Sequence, residues 1–168
     1  KLVTGVQTCA LPIYRRLEME RSGIPPERIT VVRNGPDPDR LRPMAPDLEL
    51  RPAAGTVVAF AGVMGFQDGV DYLVRAIGHL VHDLKRPDVF CLLIGGKGDA
   101  QPSLKQLTRE LGLEHHIRFT GWVSDDEYVR YLSTADICVI PDPANPFTDR
   151  STMIKLMEYM AMGKPVVA

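Results

Sequence analysis

The sequence predicts an α/β fold in which a Rossmann-like parallel sheet carries helices on both of its faces. Short runs that are apolar throughout alternate along the chain with amphipathic runs of helical period. Strands that are apolar throughout are typical of parallel sheets, because helices cover both faces of such sheets. Loops rich in Gly or Pro follow most of the apolar runs. Since open α/β sheets bind ligands at the carboxyl ends of their strands, these loops are the candidate binding site.

Helical periodicity and end signals predict the helices in order. The predicted helices cover residues 14–22, 70–84, 103–111, 124–133 and a last one from the N-cap Ser151 to the C-cap Gly163. The helix after Ser124 opens with a capping box formed by Ser124 and Glu127. Continuous apolar runs predict the strands, which cover residues 29–32, 56–61, 89–94, 117–120, 136–140 and 166–168.

The composition argues against several classes of protein. The 168 residues are 45% hydrophobic and 24% charged, and the net charge is −1 without a basic tract, which argues against nucleic-acid binding. No apolar run reaches transmembrane length. The three cysteines form no CxxC pair, and Asp142, Asn145 and Asp149 are interpreted as solvated turn residues. We therefore expect no bound metal ion and a reducing, cytoplasmic location.

Domain organisation is predicted from the prolines and the two ends of the chain. Residues 3–13 back-translate into a string that resembles a common short-read sequencing adaptor, so residues 1–13 are interpreted as a non-native segment. Residues 14–35 are then the tail of a preceding domain. Five prolines between positions 36 and 52 predict a linker over 36–55 without a packed element. Residues 56–168 form the sheet domain, and we expect the chain to be a fragment of a longer protein.

The run from Ser151 to the end of the chain carries the most specific chemistry. A helix N-terminus binds anions, and we expect Ser151 and Thr152 to begin such a helix with Lys155 close by. Glu158 falls about 10 Å further along that helix at 1.5 Å per residue. A phosphate at the helix start and a sugar hydroxyl on the Glu158 carboxylate fit that separation.

The same run resembles the donor-binding signature of retaining glycosyltransferases with the GT-B fold, the large family 4. The matching residues are Glu158, Tyr159, Ala161, Gly163, Lys164, Pro165, Val166 and Val167. Other segments are similar to that family in order and spacing, at 31–37, 92–98, 117–123 and 135–141. The resemblance implies a truncated C-terminal, donor-binding domain in which Glu158 binds the nucleotide ribose. The first Glu of the signature corresponds to Arg150 in this chain.

The resemblance also implies which loops contact the donor. The binding residues that it implies are Gly62, Gly65, Gly95, Gly96, Lys97, Gly121, Trp122, Ser151, Thr152 and Glu158. The family commonly carries two cations in the first glycine loop that neutralise the donor diphosphate, where this chain has Val63 and Asp68. We therefore expect Arg150 and Lys155 to supply the missing charge and to act in catalysis, with Lys97 as a third available cation.

The resemblance implies that a sugar is transferred with retention from a UDP- or GDP-sugar to a glycan or lipid-linked glycan acceptor. Some bacterial polysaccharide and amino-sugar transferases are similar in their glycine loop and last helix. Such enzymes need no cofactor besides the nucleotide-sugar substrate, and a preceding acceptor domain would make any peripheral membrane contact. A nucleotide-sugar 2-epimerase shares the fold but requires a pair of acid/base carboxylates. A nucleotide-sugar-binding module without catalysis is the alternative that Val63, Asp68 and Arg150 support.

Overall fold

The computed structural model describes residues 12–30, 35–51, 55–146, 148–151 and 153–168. Most of the segment interpreted as non-native therefore lies outside the described residues, as do part of the predicted strand 29–32 and Thr152. Within the described ranges the α-helices are α1 Pro12–Arg21, α2 Val70–Gly78, α3 Gln101–Glu110, α4 Asp125–Thr134 and α5 Ile154–Ala161. The strands are β1 Thr56–Ala61, β2 Val89–Ile94, β3 Ile117–Gly121, β4 Ile137–Val139 and β5 Val166–Val167.

These strands form one parallel sheet in the order β3-β2-β1-β4-β5. The central strand β1 pairs with β2 along its whole length, but its pairing with β4 is limited to Val58 and Ala59. Successive residues of a strand point to opposite faces. Val57, Ala59 and Ala61 accordingly pack in a core with α4 and α5, whereas Val58 and Phe60 pack in a second core with α2 and α3. The predicted parallel sheet with helices on both faces is confirmed.

The start of α4 is fixed by the predicted capping box. The Ser124 hydroxyl accepts a hydrogen bond from the backbone N–H of Glu127 at 3.3 Å. The Glu127 carboxylate accepts in return from the Ser124 backbone N–H at 2.8 Å. Two backbone donors at the helix start are thus satisfied, and the register of the first turn is set.

The helix predicted over 70–84 changes its geometry part of the way along. It is α-helical from Val70 to Gly78, and a π-helical turn follows at His79–Asp83. The predicted helix therefore extends to Asp83, with π geometry in place of α geometry after Gly78. Apolar periodicity continues through the π turn, because Leu80 and Val81 still pack against the core, and this is why the sequence pattern did not reveal the change.

The last helix begins later than predicted. α5 starts at Ile154, and Met153 precedes it in extended backbone without a side-chain cap. Ser151 is not the N-cap of this helix, because it follows a 3₁₀ turn at Thr148–Arg150 and donates its backbone N–H to the Thr148 carbonyl at 3.0 Å. Ser151 thus takes part in a turn, and Ser is common in turns as well as at helix N-caps.

The proline-rich residues 35–51, here called the docked segment, pack against the sheet domain. Leu41 is buried in the core beside α4 and α5, and a 3₁₀ turn forms at Leu48–Leu50. The prediction that these residues hold no packed element is therefore wrong. Contact of Leu41 with the core contributes to ordering this segment.

Polar contacts hold the docked segment at the C-terminal end of α4. The backbone N–H groups of two of its residues donate to hydroxyls on α4, Met44 to Ser133 at 3.1 Å and Asp47 to Thr134 at 2.9 Å. The Arg51 guanidinium forms a two-pronged ion pair with the Asp136 carboxylate, at 3.0 and 2.9 Å. The same helix end is capped by the Lys164 ammonium, which donates to the carbonyls of Ser133 and Ala135, each at 2.7 Å.

We expect Ser124→Ala to lower the free energy of unfolding by about 1 kcal/mol, because the substitution removes a helix N-cap. Chemical denaturation followed by circular dichroism measures this change. Ser103→Ala is the matched control, since the Ser103 hydroxyl donates back to a carbonyl and caps no amide. An equal loss in both variants would contradict the capping role.

The capping contribution of Glu127 should depend on pH. Hydrogen bonds from the backbone and the hydroxyl of Ser124 lower the pKa of Glu127 below its ordinary value. A carboxylate with a depressed folded pKa stabilises the fold above its unfolded pKa, and this stabilisation disappears as the pH falls through the folded pKa. The stability difference between the natural chain and Glu127→Gln should therefore shrink on acidification. A difference that stays constant down to strongly acidic pH would contradict this expectation.

Candidate functional site

The loops that follow β1, β2, β3 and β4 meet at the carboxyl edge of the sheet, and the glycines among them have two different roles. A Cβ at Gly95 would overlap the Gly62 carbonyl oxygen, and a Cβ at Gly96 would lie 2.7 Å from the Cβ of Trp122. These two glycines therefore let the loops pack against one another. Gly62 and Gly121 also have positive φ values, of 147° and 74°. A Cβ at Gly62 would meet the Phe60 ring at 3.7 Å, whereas a Cβ at Gly121 would meet no described residue within 4 Å beyond its chain neighbours. The backbone at Gly121 is therefore the less covered of the two.

Asp68, which stands where the family commonly has a cation, is tied into its own loop. Its carboxylate accepts a hydrogen bond from the Gly65 backbone N–H at 2.9 Å. Its other oxygen, Oδ1, lies 3.6 Å from the Lys155 ammonium on α5. The missing cation of this loop is thus replaced by a carboxylate that pairs with a cation from a different element.

Lys155 lies in a charge cluster with two carboxylates, those of Asp68 and Asp142. The ammonium is 3.0 Å from Asp142 Oδ2 and 4.7 Å from the centroid of the Phe60 ring, and its side chain is only 13% exposed. Asp142 Oδ2 is buried and has no hydrogen-bond partner among the described residues, so the nearby Lys155 ammonium balances its charge. The formal charge of the cluster is −1. Lys155 therefore does not add net positive charge to the site in this arrangement.

Arg150 and Ser151 belong to the loop between β4 and α5. Arg150 is exposed and ends the 3₁₀ turn that precedes Ser151. Asn145 and Thr148 brace this loop, because the backbone N–H of each donates to the side-chain oxygen of the other at 3.0 Å. Thr152 lies outside the described residues. The loop thus presents Arg150 near the carboxyl edge, ahead of α5 in the chain.

Glu158 lies on α5 and has one described partner. The Tyr128 hydroxyl of α4 donates to Glu158 Oε2 at 2.6 Å. Burial, followed by the hydrogen bond to Glu158, raises the pKa of the Tyr128 hydroxyl above its ordinary value. Because α5 begins at Ile154, Glu158 is about 6 Å from the helix start at 1.5 Å per residue, and not 10 Å as the sequence predicted.

Two residues of the donor-binding signature have structural roles that sequence reasoning missed. Tyr159 is fully buried, and its hydroxyl accepts a hydrogen bond from the Ala61 backbone N–H at 2.8 Å. Lys164 caps the end of α4, and burial lowers the pKa of its ammonium group. The signature therefore fixes how α5 and β5 attach to the sheet as well as what the site contains.

Trp122 and Lys97 lie exposed in neighbouring loops. Trp122 is 81% exposed and contacts the backbone at Gly96. Val63 and Phe66 in the first glycine loop are also exposed, at 65% and 71%. Solvent-facing apolar side chains beside an open glycine loop offer a surface on which a planar ring can stack.

Among the residues that the structure describes, no three His, Cys, Asp or Glu side chains are arranged to hold a metal ion. No described helix has the length and apolar character that are needed to cross a membrane.

Comparison with known proteins gives sequence relatives over most of the chain. The profile of the family described as "Glycosyl transferases group 1" matches residues 55–168. An uncharacterised glycosyltransferase of Methanocaldococcus jannaschii is 34% identical over 113 residues, or 66% of this chain and 26% of that protein. The amylovoran biosynthesis glycosyltransferase AmsK of Erwinia amylovora is 29% identical over 163 residues, or 94% of this chain and 38% of that protein. The chain thus spans well under half the length of these relatives.

Solved structures show the same fold at lower sequence identity. Anabaena HepE in complex with UDP and glucose has a TM-score of 0.70 at 23% identity, covering 91% of this chain and 41% of that chain. WaaG, a glycosyltransferase involved in lipopolysaccharide biosynthesis, has a TM-score of 0.69 at 18% identity, covering 88% of this chain and 40% of that chain. These likenesses support the predicted architecture of the sheet domain.

We expect Lys155→Met to lower the free energy of unfolding by about 3 kcal/mol, because it leaves two largely buried carboxylates without their cation. The double variant Lys155→Met/Asp142→Asn should recover part of the loss, since it removes one of the two stranded charges. Chemical denaturation measures both. Lys97→Met, at an exposed position, is the control. A double variant that is no more stable than Lys155→Met would contradict the cluster's electrostatic origin.

Proposed function

Because the chain belongs to the group 1 glycosyltransferases, whose profile matches residues 55–168, we propose that it binds the nucleotide-sugar donor for transfer of a sugar to a glycan acceptor. The observation that carries this proposal is the Glu158 carboxylate at the carboxyl edge of the sheet. It is half-buried and forms no ion pair with a described cation, so no described cation competes with hydroxyl donors for its oxygens. A ribose presents such hydroxyls, and hydrogen bonds to a carboxylate are among the strong ones.

The remaining parts of the donor fit the open features of the same edge. The base stacks on the exposed Trp122, and the diphosphate lies beside Gly62 and Gly121, which carry no Cβ. HepE has been solved with UDP and glucose, and this supports a UDP-sugar as one candidate donor, with a GDP-sugar as the other. No cofactor or metal ion is part of this proposal.

The transfer is proposed to proceed with retention through an oxocarbenium-like transition state, in which the diphosphate leaves. Stabilising that leaving group is the main electrostatic task of the protein. Arg150, exposed ahead of α5, and Lys155 are the proposed sources of positive charge. The N-terminus of α5 adds roughly half a unit charge. Lys155 is already offset by Asp68 and Asp142, which reduces its share of this positive charge.

A nucleotide-sugar-binding module without catalysis is the second candidate function. The charge cluster favours it, because two carboxylates around Lys155 weaken the positive potential that a departing diphosphate needs. A 2-epimerase is less well supported. It requires paired acid/base carboxylates, whereas Asp68 and Asp142 are both occupied by Lys155.

The acceptor is proposed to be a glycan or a lipid-linked glycan. AmsK is named for amylovoran biosynthesis and WaaG for lipopolysaccharide biosynthesis, and both names point to glycan acceptors for those proteins. In relatives this chain corresponds to 26–38% of the length. We also propose that the longer protein binds the acceptor, that any peripheral membrane contact is made through a preceding domain, and that the protein is cytoplasmic.

We expect Glu158→Gln to weaken binding of UDP or GDP about tenfold, because a hydrogen bond to a charged group contributes roughly 1.5–3 kcal/mol. Isothermal titration calorimetry on the 168-residue chain measures this. Glu114→Gln, an exposed carboxylate beside β3, is the matched control and should bind as the natural chain does. Equal affinities for Glu158→Gln and the control would remove Glu158 from the donor site.

We expect Arg150→Ala, in the longer enzyme that we propose, to lower kcat on the order of 100-fold while donor affinity changes less, because the lost charge acts mainly on the transition state. Lys155→Arg keeps the charge and should retain more activity than Lys155→Ala. Initial rates of sugar transfer measure both effects. If Arg150→Ala and Lys155→Ala keep full kcat/KM, these cations do not serve the leaving group. If the unmutated enzyme forms no glycosidic bond, the binding module becomes the better reading.

A further inference from the structure

We propose that Tyr128 is the positioning residue of the ribose site: its hydroxyl holds Glu158 Oε2, so that the carboxylate is oriented to select a ribose over a deoxyribose. The inference rests on the proposed function of Glu158. The family signature does not include Tyr128, which lies 30 residues before Glu158 on a different helix.

The contact has the geometry of a strong hydrogen bond. The oxygen–oxygen distance of 2.6 Å falls in the range of a neutral hydroxyl that donates to an ionised carboxylate. The other carboxylate oxygen, Oε1, has no hydrogen bond to a described residue. One oxygen is therefore fixed by the protein, and the second is left for the ligand.

Tyr128 reaches Glu158 from a rigid base. It follows directly after the capping box of Ser124 and Glu127, and its own backbone N–H donates to the Ser124 carbonyl at 2.9 Å. Its ring packs against the core that holds α4 and α5 on the sheet. The hydroxyl is thus held at the end of a packed aromatic side chain, which suits a group that must keep a carboxylate in one orientation.

Tyr128 suits this role because its side chain is uncharged. Its raised pKa keeps the phenol protonated, so it acts as a donor throughout the physiological range. Within the described part of the chain, no Lys, Arg or His forms an ion pair with Glu158. A cation in this position would orient the carboxylate but would also offset its charge, whereas a phenol orients it and leaves the charge for the ribose hydroxyls.

A site built to accept a hydroxyl discriminates against ligands that lack it, because its own polar group is then left unpaired. The ratio of affinities for a ribonucleotide and its deoxy analogue therefore reports the orientation of Glu158. A loss of general stability lowers both affinities together and leaves the ratio unchanged. This ratio separates a positioning role from a purely structural one.

The test measures binding of UDP, GDP and their 2′,3′-dideoxy analogues to the 168-residue chain by calorimetry. Tyr128→Phe removes only the hydroxyl. We expect it to lower the preference for ribose at least about threefold, while the affinity for the dideoxynucleotides stays within about twofold. The expected change is smaller than the roughly tenfold effect of losing a hydrogen bond to a charged group. Tyr131→Phe, also on α4 and buried, is the matched control and should change neither affinity.

A second pair of variants tests whether the effect passes through Glu158. In a Glu158→Gln background, Tyr128→Phe should change UDP affinity less than it does in the natural chain, because coupled residues are not additive. Additive effects would overturn the proposal, as would an unchanged preference in Tyr128→Phe or an equal loss in Tyr131→Phe. If Tyr128→Phe does not fold, Tyr128→Met serves instead, since it also removes the hydroxyl and leaves Glu158 unchanged. A preference unchanged by that variant overturns the proposal.

Failure of the proposed function gives a different result. If the natural chain binds neither UDP nor GDP, or binds ribose and dideoxyribose forms equally, Glu158 is not a ribose ligand and the proposed function fails before Tyr128 is tested. If the natural chain prefers ribose and the Tyr128 variants keep the same preference as Tyr131→Phe, the ribose site stands and the positioning role is refuted.

Discussion

The arrangement of the candidate site depends on one hydrogen bond at the end of β1, between a backbone N–H and a side-chain hydroxyl. Pairing with β4 stops at Ala59, so the N–H of Ala61 has no strand partner on that side. The Tyr159 hydroxyl takes the place of the missing strand at 2.8 Å. A buried N–H without a partner is costly, which makes this contact a firm requirement. Because Tyr159 follows Glu158 directly, satisfying the strand also fixes where the carboxylate lies.

The site combines a carboxylate that forms no ion pair with a described cation and a lysine that is paired with two carboxylates. Glu158 contacts a neutral phenol, whereas Lys155 on the same helix contacts two carboxylates. The potential at the carboxyl edge is therefore more negative than the count of cations in the sequence suggests. In the proposed function, an anionic donor relies on backbone amides, on the start of α5 and on Arg150.

Sequence patterns predicted the sheet and missed the contacts across it. The bounds of β1 and β2 agree with the predicted runs 56–61 and 89–94, because apolar runs bounded by turns are a local signal. The start of α5 was misplaced, since Ser151 suits a turn as well as a cap. The pairing of Lys155 with Asp68 and Asp142, and of Tyr128 with Glu158, joins residues from separate elements. No periodicity in the sequence encodes such pairs.

The docked segment gives α4 an unusual place in the fold. The C-terminal end of α4 forms hydrogen bonds with the backbone N–H groups of Met44 and Asp47 and with the Lys164 ammonium. Near the other end of α4, the Tyr128 hydroxyl donates a hydrogen bond to Glu158 of α5. Opening this helix breaks contacts with three separate stretches of chain at once. Such groups open as one cooperative unit, and their amides share a common protection against hydrogen exchange. The amides of Met44 and Asp47 should therefore exchange as slowly as those inside α4, although they lie in a proline-rich stretch without regular secondary structure.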